Sequence, residues 1–246
     1  MRAVQRFLFC LLAIWTAPLL AQVELLGHRM TIELDPAGHR LQVRDQISLP
    51  ESFPRVVTFL LHRGLKPSAP QPDVRIQPLP GGEDTVWMKY RLERYADSKR
   101  VIIDYAGELH HPLQAYGQEQ ARGFRSTPGL ISEEGAYLSG GSFWYPQFGV
   151  EHKLSFDLEV YRPGDWQAVS QGRQIDSAGE EKRAEGRAVS RWNSATPQEE
   201  IYLIAAPFTD YRRQVGRIEA QVFLRTPDPG LALKYLDATA QYLEVY

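Results

Sequence analysis

Six histidines, three pairs of adjacent glutamates and a dense set of tryptophans and tyrosines are the side chains of this sequence that could do chemistry. Zinc held on one helical face needs two imidazoles four residues apart, as in His-Glu-x-x-His. No such motif occurs among His28, His39, His62, His110, His111 and His152. His110 and His111 are adjacent, so a strand would point them to opposite faces and a helix would set them about 100° apart. They read as surface loop histidines, with metal binding through a loop as the lesser alternative. His28, His39, His62 and His152 fall in or beside strand-like segments and are expected as exposed polar partners. "LSGGSFW" has small residues but not the Gly-x-Ser-x-Gly spacing of a nucleophile elbow, and no glycine-rich phosphate loop occurs. No catalytic residue and no metal-ligand set is therefore assigned to this chain.

The glutamate pairs differ in setting. Glu180-Glu181 and Glu199-Glu200 read as hairpin or loop charges, whereas Glu133 and Glu134 sit in a stretch rich in glycine, serine and aromatics. Acidic loop residues are ordinarily solvated; a ligand role is the alternative reading of this pair. Trp87, Trp144, Tyr145, Trp166 and Trp192 could stack on sugar rings, although aromatics alternating within strands usually fill a core. Trp87 and Trp192 fit the core reading. "FWYP" does not alternate and is expected as a surface or interdomain patch, which makes "FWYPQFG" the contact segment of a rival function: a self-contained exported module binding carbohydrate or a protein partner.

The elements that must position these residues are mainly strands. At 246 residues, with 43% hydrophobic and 24% charged residues, the chain can bury a sizeable core. A net charge of −2 with scattered basic residues leaves no electrostatic footprint for nucleic acid. "MRAVQRFLFCLLAIWTAPLLAQ" has the layout of a secretory leader: Arg2 and Arg6, an apolar run from Phe7 to Trp15, and small residues ending at Ala21. Residues 1–21 are read as a signal peptide, and the protein as exported to a periplasm or the cell exterior. The alternative, an uncleaved anchor, is disfavoured by a short apolar run that Pro18 interrupts, so no stable membrane span is expected. The sole cysteine, Cys10, falls within the leader, leaving none for a disulfide or thiolate site.

Beyond the leader, period-two alternation dominates. Met30, Ile32 and Leu34, the turn residues "DPAGH", then Leu41, Val43, Ile47 and Leu49 spell a hairpin with one buried face. Further strands are expected at Val57–Leu61, "DVRIQPL", "DTVWMKYRL", "KRVIIDYAG", "HKLSFDLEVY", "WQAVSQG", "RAVSRWNS", "EEIYLIAAP" and "GRIEAQVFL", with residues 108–149 irregular and "DSAGEEKRAEG" a charged hairpin tip. Such spacing argues for an antiparallel β-sandwich or saddle-like domain over residues 22–226. One long helix is expected, capped by Asp228 with Pro229 first, and with an apolar stripe of Leu231, Tyr235, Leu236, Thr239, Tyr242, Leu243 and Tyr246.

From Gly129 to Gly172 the pattern resembles the N-terminal β domain of the zinc aminopeptidase N family. The residues that carry the resemblance are Trp144-Tyr145-Pro146, the Leu154–Val160 strand, the Pro163-Gly164 turn and Val169-Ser170-Gln171-Gly172. "HRMTIELDPAGHRLQVRDQISL" is similar to that family's first hairpin, and residues 227–246 resemble the first helix of its catalytic domain. The resemblance implies a parent zinc metallopeptidase whose zinc and His-Glu-x-x-His helix lie outside this sequence, in a catalytic domain that would be the partner of this one. It implies no cofactor within this chain and a chain expected to be truncated. It also implies that an acidic side chain before the aromatic-Pro segment holds the amino terminus of a peptide substrate, and Glu133 or Glu134 matches that place.

Overall fold

The computed structural model describes residues 25–112, 114–115, 125–149, 152–175 and 186–245. The leader, most of the "DSAGEEKRAEG" tip and Tyr246 lie outside the described residues. In chain order the strands are β1 (Leu25–Asp35), β2 (Arg40–Ser48), β3 (Val56–His62), β4 (Leu65–Ser68), β5 (Val74–Pro78), β6 (Trp87–Arg94), β7 (Arg100–Glu108), β8 (Gln114–Ala115) and β9 (Arg125–Ser126). They continue with β10 (Leu130–Ser132), β11 (Gly135–Leu138), β12 (Lys153–Pro163), β13 (Gln167–Val169), β14 (Arg173–Ile175), β15 (Arg187–Gln198), β16 (Leu203–Ala206), β17 (Thr209–Val215) and β18 (Ile218–Leu224). Helix α1 (Pro229–Val245) follows.

Alternation sets the main sheet, ordered β14-β15-β12-β1-β2-β7-β4. Its inner face presents Met30, Ile32, Leu34, Val43, Ile47, Ile103, Phe156, Leu158 and Val160, all buried. A three-stranded sheet (β3-β6-β5) and a four-stranded one (β10-β11-β16-β13) contribute Phe59, Leu61, Leu92, Ile131, Leu138 and Leu203 to the same hydrophobic cluster. The expected mainly β architecture is borne out, with one refinement. Strands β1 and β12 pair in parallel, from Leu25 opposite Lys153 to Glu33 opposite Tyr161, whereas the other described pairs are antiparallel.

The expected β1–β2 turn is present. Gly38 N–H donates to Asp35 Oδ1 at 3.1 Å and His39 N–H to the Pro36 carbonyl at 3.2 Å. The left-handed residue there is His39, at φ 53°.

Three expectations are corrected. The "FWYP" segment is not a surface patch: Trp144 and Tyr145 are fully buried, Trp144 Nε1–H donating to the Ile201 carbonyl at 3.0 Å and the Tyr145 hydroxyl accepting Ile201 N–H at 3.2 Å. His28 and His62 are buried rather than exposed, each tied to another titratable side chain. The stretch 108–149, expected as irregular, contains the β10–β11 hairpin and a 3-10 turn at Gly140–Ser142.

Helix α1 begins as its sequence specifies. Asp228 Oδ1 accepts Leu231 N–H at 2.9 Å and its carbonyl accepts Ala232 N–H at 3.0 Å. The packed face differs from the expected stripe. Ala232, Leu236 and Ala240 are buried, and the helix packs on β17 and β18, whereas Leu231, Tyr235 and Tyr242 are exposed. No helix among the described residues is long and apolar enough to cross a membrane.

Candidate functional site

Glu133 and Glu134 are the two tip residues of the β10–β11 hairpin, in which Ser132 pairs with Gly135. Both are exposed. Alternation anchors the arms: Ile131, Ala136 and Leu138 point into the core. The Ser132 hydroxyl closes the turn by donating to the Gly135 carbonyl at 3.2 Å. Two carboxylates are thus carried on a short loop whose base is fixed by packing, a good arrangement for presenting negative charge to a cationic group. Glu134 Oε2 lies 3.8 Å from the Arg225 guanidinium, just before α1. With side chains 83% and 57% exposed, the two hold each other weakly and leave Glu134 able to take another cation. Glu133 has no hydrogen bond or ion pair among the described residues.

Behind the tip stands a network that sequence reasoning missed. Glu200, read as a loop charge, has one oxygen accepting Gly140 N–H at 2.8 Å and the other accepting the Tyr202 hydroxyl. A Cβ at Gly140 would collide with that carboxylate, so the 3-10 turn depends on glycine there. The hydrogen bond to Glu200, then burial, pushes Tyr202 up to about 12. Gln171 Oε1 accepts Tyr202 N–H at 2.9 Å and Ser170 Oγ donates to the Tyr202 carbonyl at 2.6 Å, which fixes the segment entering β16, the strand paired with β11. Only the proximity of two like-charged residues pointed to this region; Tyr202 is two residues from Glu200, but Gly140, which anchors the network to the 3-10 turn, lies sixty residues away in sequence.

The histidines do not form a catalytic set. His28 Nδ1 and Asp45 Oδ2 meet at 2.7 Å with both side chains fully buried, beside Tyr105 and Tyr145. Burial raises Asp45 against the opposing pull of His28. His62 and His111 face each other through their Nε2 atoms at 2.8 Å, and His39 stacks on His110 with ring centroids 3.9 Å apart. His110 and His111, expected as surface loop residues, are half-buried and each is paired. Among the described residues, no three His, Cys, Asp or Glu side chains gather at metal-binding range. The described residues therefore do not fit the catalytic zinc of the resembling family, which needs three protein ligands around an open position.

No family model matches the chain, nor does any curated protein. Solved structures do. The chain is similar to a mutant M1 zinc metallopeptidase from Deinococcus radiodurans bound to a Tyr-Ser-Ala substrate, at 14% identity and TM-score 0.56, over 84% of this chain and 49% of that one. It is similar to an aminopeptidase N family protein from Idiomarina loihiensis, at 11% identity and TM-score 0.54, over 88% and 35%. A third match is Legionella pneumophila aminopeptidase A in complex with aspartic acid, at 11% identity and TM-score 0.55, over 81% and 24%. At these identities the likeness shows the fold, and there the resemblance to the aminopeptidase N family holds. The chain spans about half or less of the length of these structures.

Proposed function

We propose that this polypeptide is the non-catalytic substrate-cleft domain of an exported zinc metallopeptidase of the aminopeptidase type. The observation that carries this reading is the fold match, which takes in most of this chain but at most 49% of each matched peptidase. In this proposal the zinc and its ligands belong to a catalytic domain outside this sequence, and that domain covers the α1 face bearing Leu231, Tyr235 and Tyr242. The boundaries follow the sequence reading: residues 22–226 as the β domain and 227–246 as the first helix of its neighbour. Export rests on the leader-like residues 1–21.

Glu133 and Glu134 are the residues proposed to receive the protonated α-amine of a peptide. Their carboxylates are exposed, and the hairpin base that carries them is held by the core. A charge-assisted hydrogen bond of this kind contributes about 1.5–3 kcal/mol, more than tenfold in binding.

The test is kinetic. In a polypeptide joining this domain to its zinc-binding portion, Glu133→Ala and Glu134→Ala together should raise KM for free-amine substrates about tenfold with kcat little changed, and leave N-blocked peptides unaffected. Equal effects on free and blocked substrates would remove the glutamates from amine recognition. The present chain with zinc and an aminoacyl arylamide should be silent, and metal-dependent turnover by it would overturn the domain assignment.

A further inference from the structure

Trp144 and Tyr145 are taken up by the core, but the segment that carries them borders an apolar cleft. It runs alongside β3, where Leu60 N–H donates to the Gln147 carbonyl at 2.9 Å and Gln147 N–H to the Leu60 carbonyl at 3.0 Å. Between this segment, β3 and the start of β12 lies a cavity of about 700 Å3, within the range of small-molecule sites. The buried Leu26 and Leu154 line it from the core side, and Leu60, Pro146 and Phe148 form its walls. The Phe148 ring is held by Phe53 and Phe59, each with its centroid 5.4 Å away. Phe143, also in the lining, ends the 3-10 turn at φ 52°, a left-handed conformation where glycine is usual and a bulky side chain rare. Such positions gather at ligand sites.

The charged side chains of the lining are Lys89, Lys153 and Glu199, with the His152 imidazole beside them. Lys153 Nζ donates to Glu199 Oε1 at 2.7 Å, so these two charges answer each other. Lys89 lies opposite Leu60 in the β3–β6 register and is exposed, and its ammonium has no partner among the described residues. The backbone supplies a second donor. Along this edge the Leu60 and His62 N–H groups turn to the 143–147 segment, so by alternation the N–H of Thr58 faces the same way. It too has no partner among the described residues. The open edge is too short for an added peptide strand, since β3 starts at Val56 and Gln147 closes it at Leu60. An apolar cavity with an unanswered ammonium and an N–H at its mouth complements a small molecule with an apolar body and a terminal carboxylate.

We propose that this cleft binds a monocarboxylate with an apolar alkyl or aryl body. Lys89 Nζ and Thr58 N–H take the carboxylate, and the body lies against Leu60 and Phe148. None of these residues belongs to the Glu133–Glu134 hairpin, so the site stands apart from the peptidase reading.

The untagged protein is titrated calorimetrically with sodium decanoate, sodium 4-phenylbutyrate, sodium acetate and decylammonium chloride, all below micelle-forming concentrations. One equivalent of decanoate or of phenylbutyrate should bind, and the tighter of the two tells a chain from a ring. Acetate should not bind, and decylammonium should bind at least tenfold more weakly. Lys89→Met keeps an apolar stem and removes the charge; it should weaken carboxylate binding about tenfold, with circular dichroism unchanged. Leu60→Thr, a strand-forming residue that trims the wall, should weaken it about threefold. Lys66→Met, at a lysine outside the cleft, should bind like the wild type. In 15N-labelled protein the Thr58 amide resonance should move as the carboxylate is added. Wild-type protein that binds neither carboxylate saturably, equal binding of decylammonium, or a Lys89→Met protein that binds as the wild type does would overturn the proposal.

Discussion

His62 shows how a single buried imidazole ties stability to pH. Its Nδ1 accepts Gly64 N–H and its Nε2–H goes to His111, so the fold uses both nitrogens of the neutral ring and has no place for a further proton. Burial, reinforced by the charges of His111 and Arg63, pushes the group down from its ordinary 6.5 to about 4. A depressed folded pKa stabilises the fold above the unfolded value, and that contribution is lost as pH falls from about 6.5 towards 4. The full loss corresponds to about 3 kcal/mol. Thermal melts across this window should therefore fall steadily for the wild type, and the slope should flatten in His62→Gln. Parallel curves for the two proteins would assign the acid limb to other groups. The alternation already placed such residues indoors: His28 keeps step with Leu26 and Met30, and Asp45 with Val43 and Ile47. Reading histidine by its usual exposure overrode that parity. What no local pattern could show was the partner, since His28 and Asp45 are joined only by the register of β1 on β2, where each sits diagonally across from the other.

At the scale of the element, α1 began where its capping residues said it would, yet turned a different face inward. The larger side chains Tyr235 and Tyr242 drew the expected stripe, whereas the helix rests on the β17–β18 hairpin through Ala232, Leu236 and Ala240 at four-residue spacing. Small residues at the two outer positions let the helix approach the sheet closely, and Leu236 supplies the bulk between them. A moment built on residue size cannot see that preference. Leu236→Ala should destabilise the protein by about 2–3 kcal/mol, and Asp228→Ala by about 1 kcal/mol through loss of the cap. Tyr242→Ala, at a residue 71% exposed, should change stability by no more than about 0.5 kcal/mol. Chemical denaturation of the three variants gives the order directly. A large effect at Tyr242 with none at Leu236 would mean that the helix packs through its aromatic face.

Across the whole molecule, β1 and β12 form a parallel ladder between segments more than a hundred residues apart, and this ladder joins the first hairpin to the second half of the main sheet. Each strand was legible by its own alternation, but their adjacency was not, because a parallel pair has no connecting turn to announce it. The same ladder bears on cooperativity. Leu158 lies opposite Met30 on one side and Trp192 on the other, and it belongs to a cluster that also contains Phe59 of the three-stranded sheet and Leu203 of the four-stranded one. Because these three sheets contribute to one cluster, removing packing at Leu158 should weaken the three together. Leu158→Ala should cost about 2–5 kcal/mol, and tryptophan fluorescence and far-ultraviolet circular dichroism should report one coincident urea transition in wild type and variant alike. Trp144, fully buried and bonded to the segment before β16, makes the fluorescence sensitive to the four-stranded sheet, whereas dichroism weights the long strands of the main sheet. A fluorescence transition that stayed in place while the dichroism moved to lower urea would show that the sheets unfold independently, and the shared core would then not be what makes this domain a single unit.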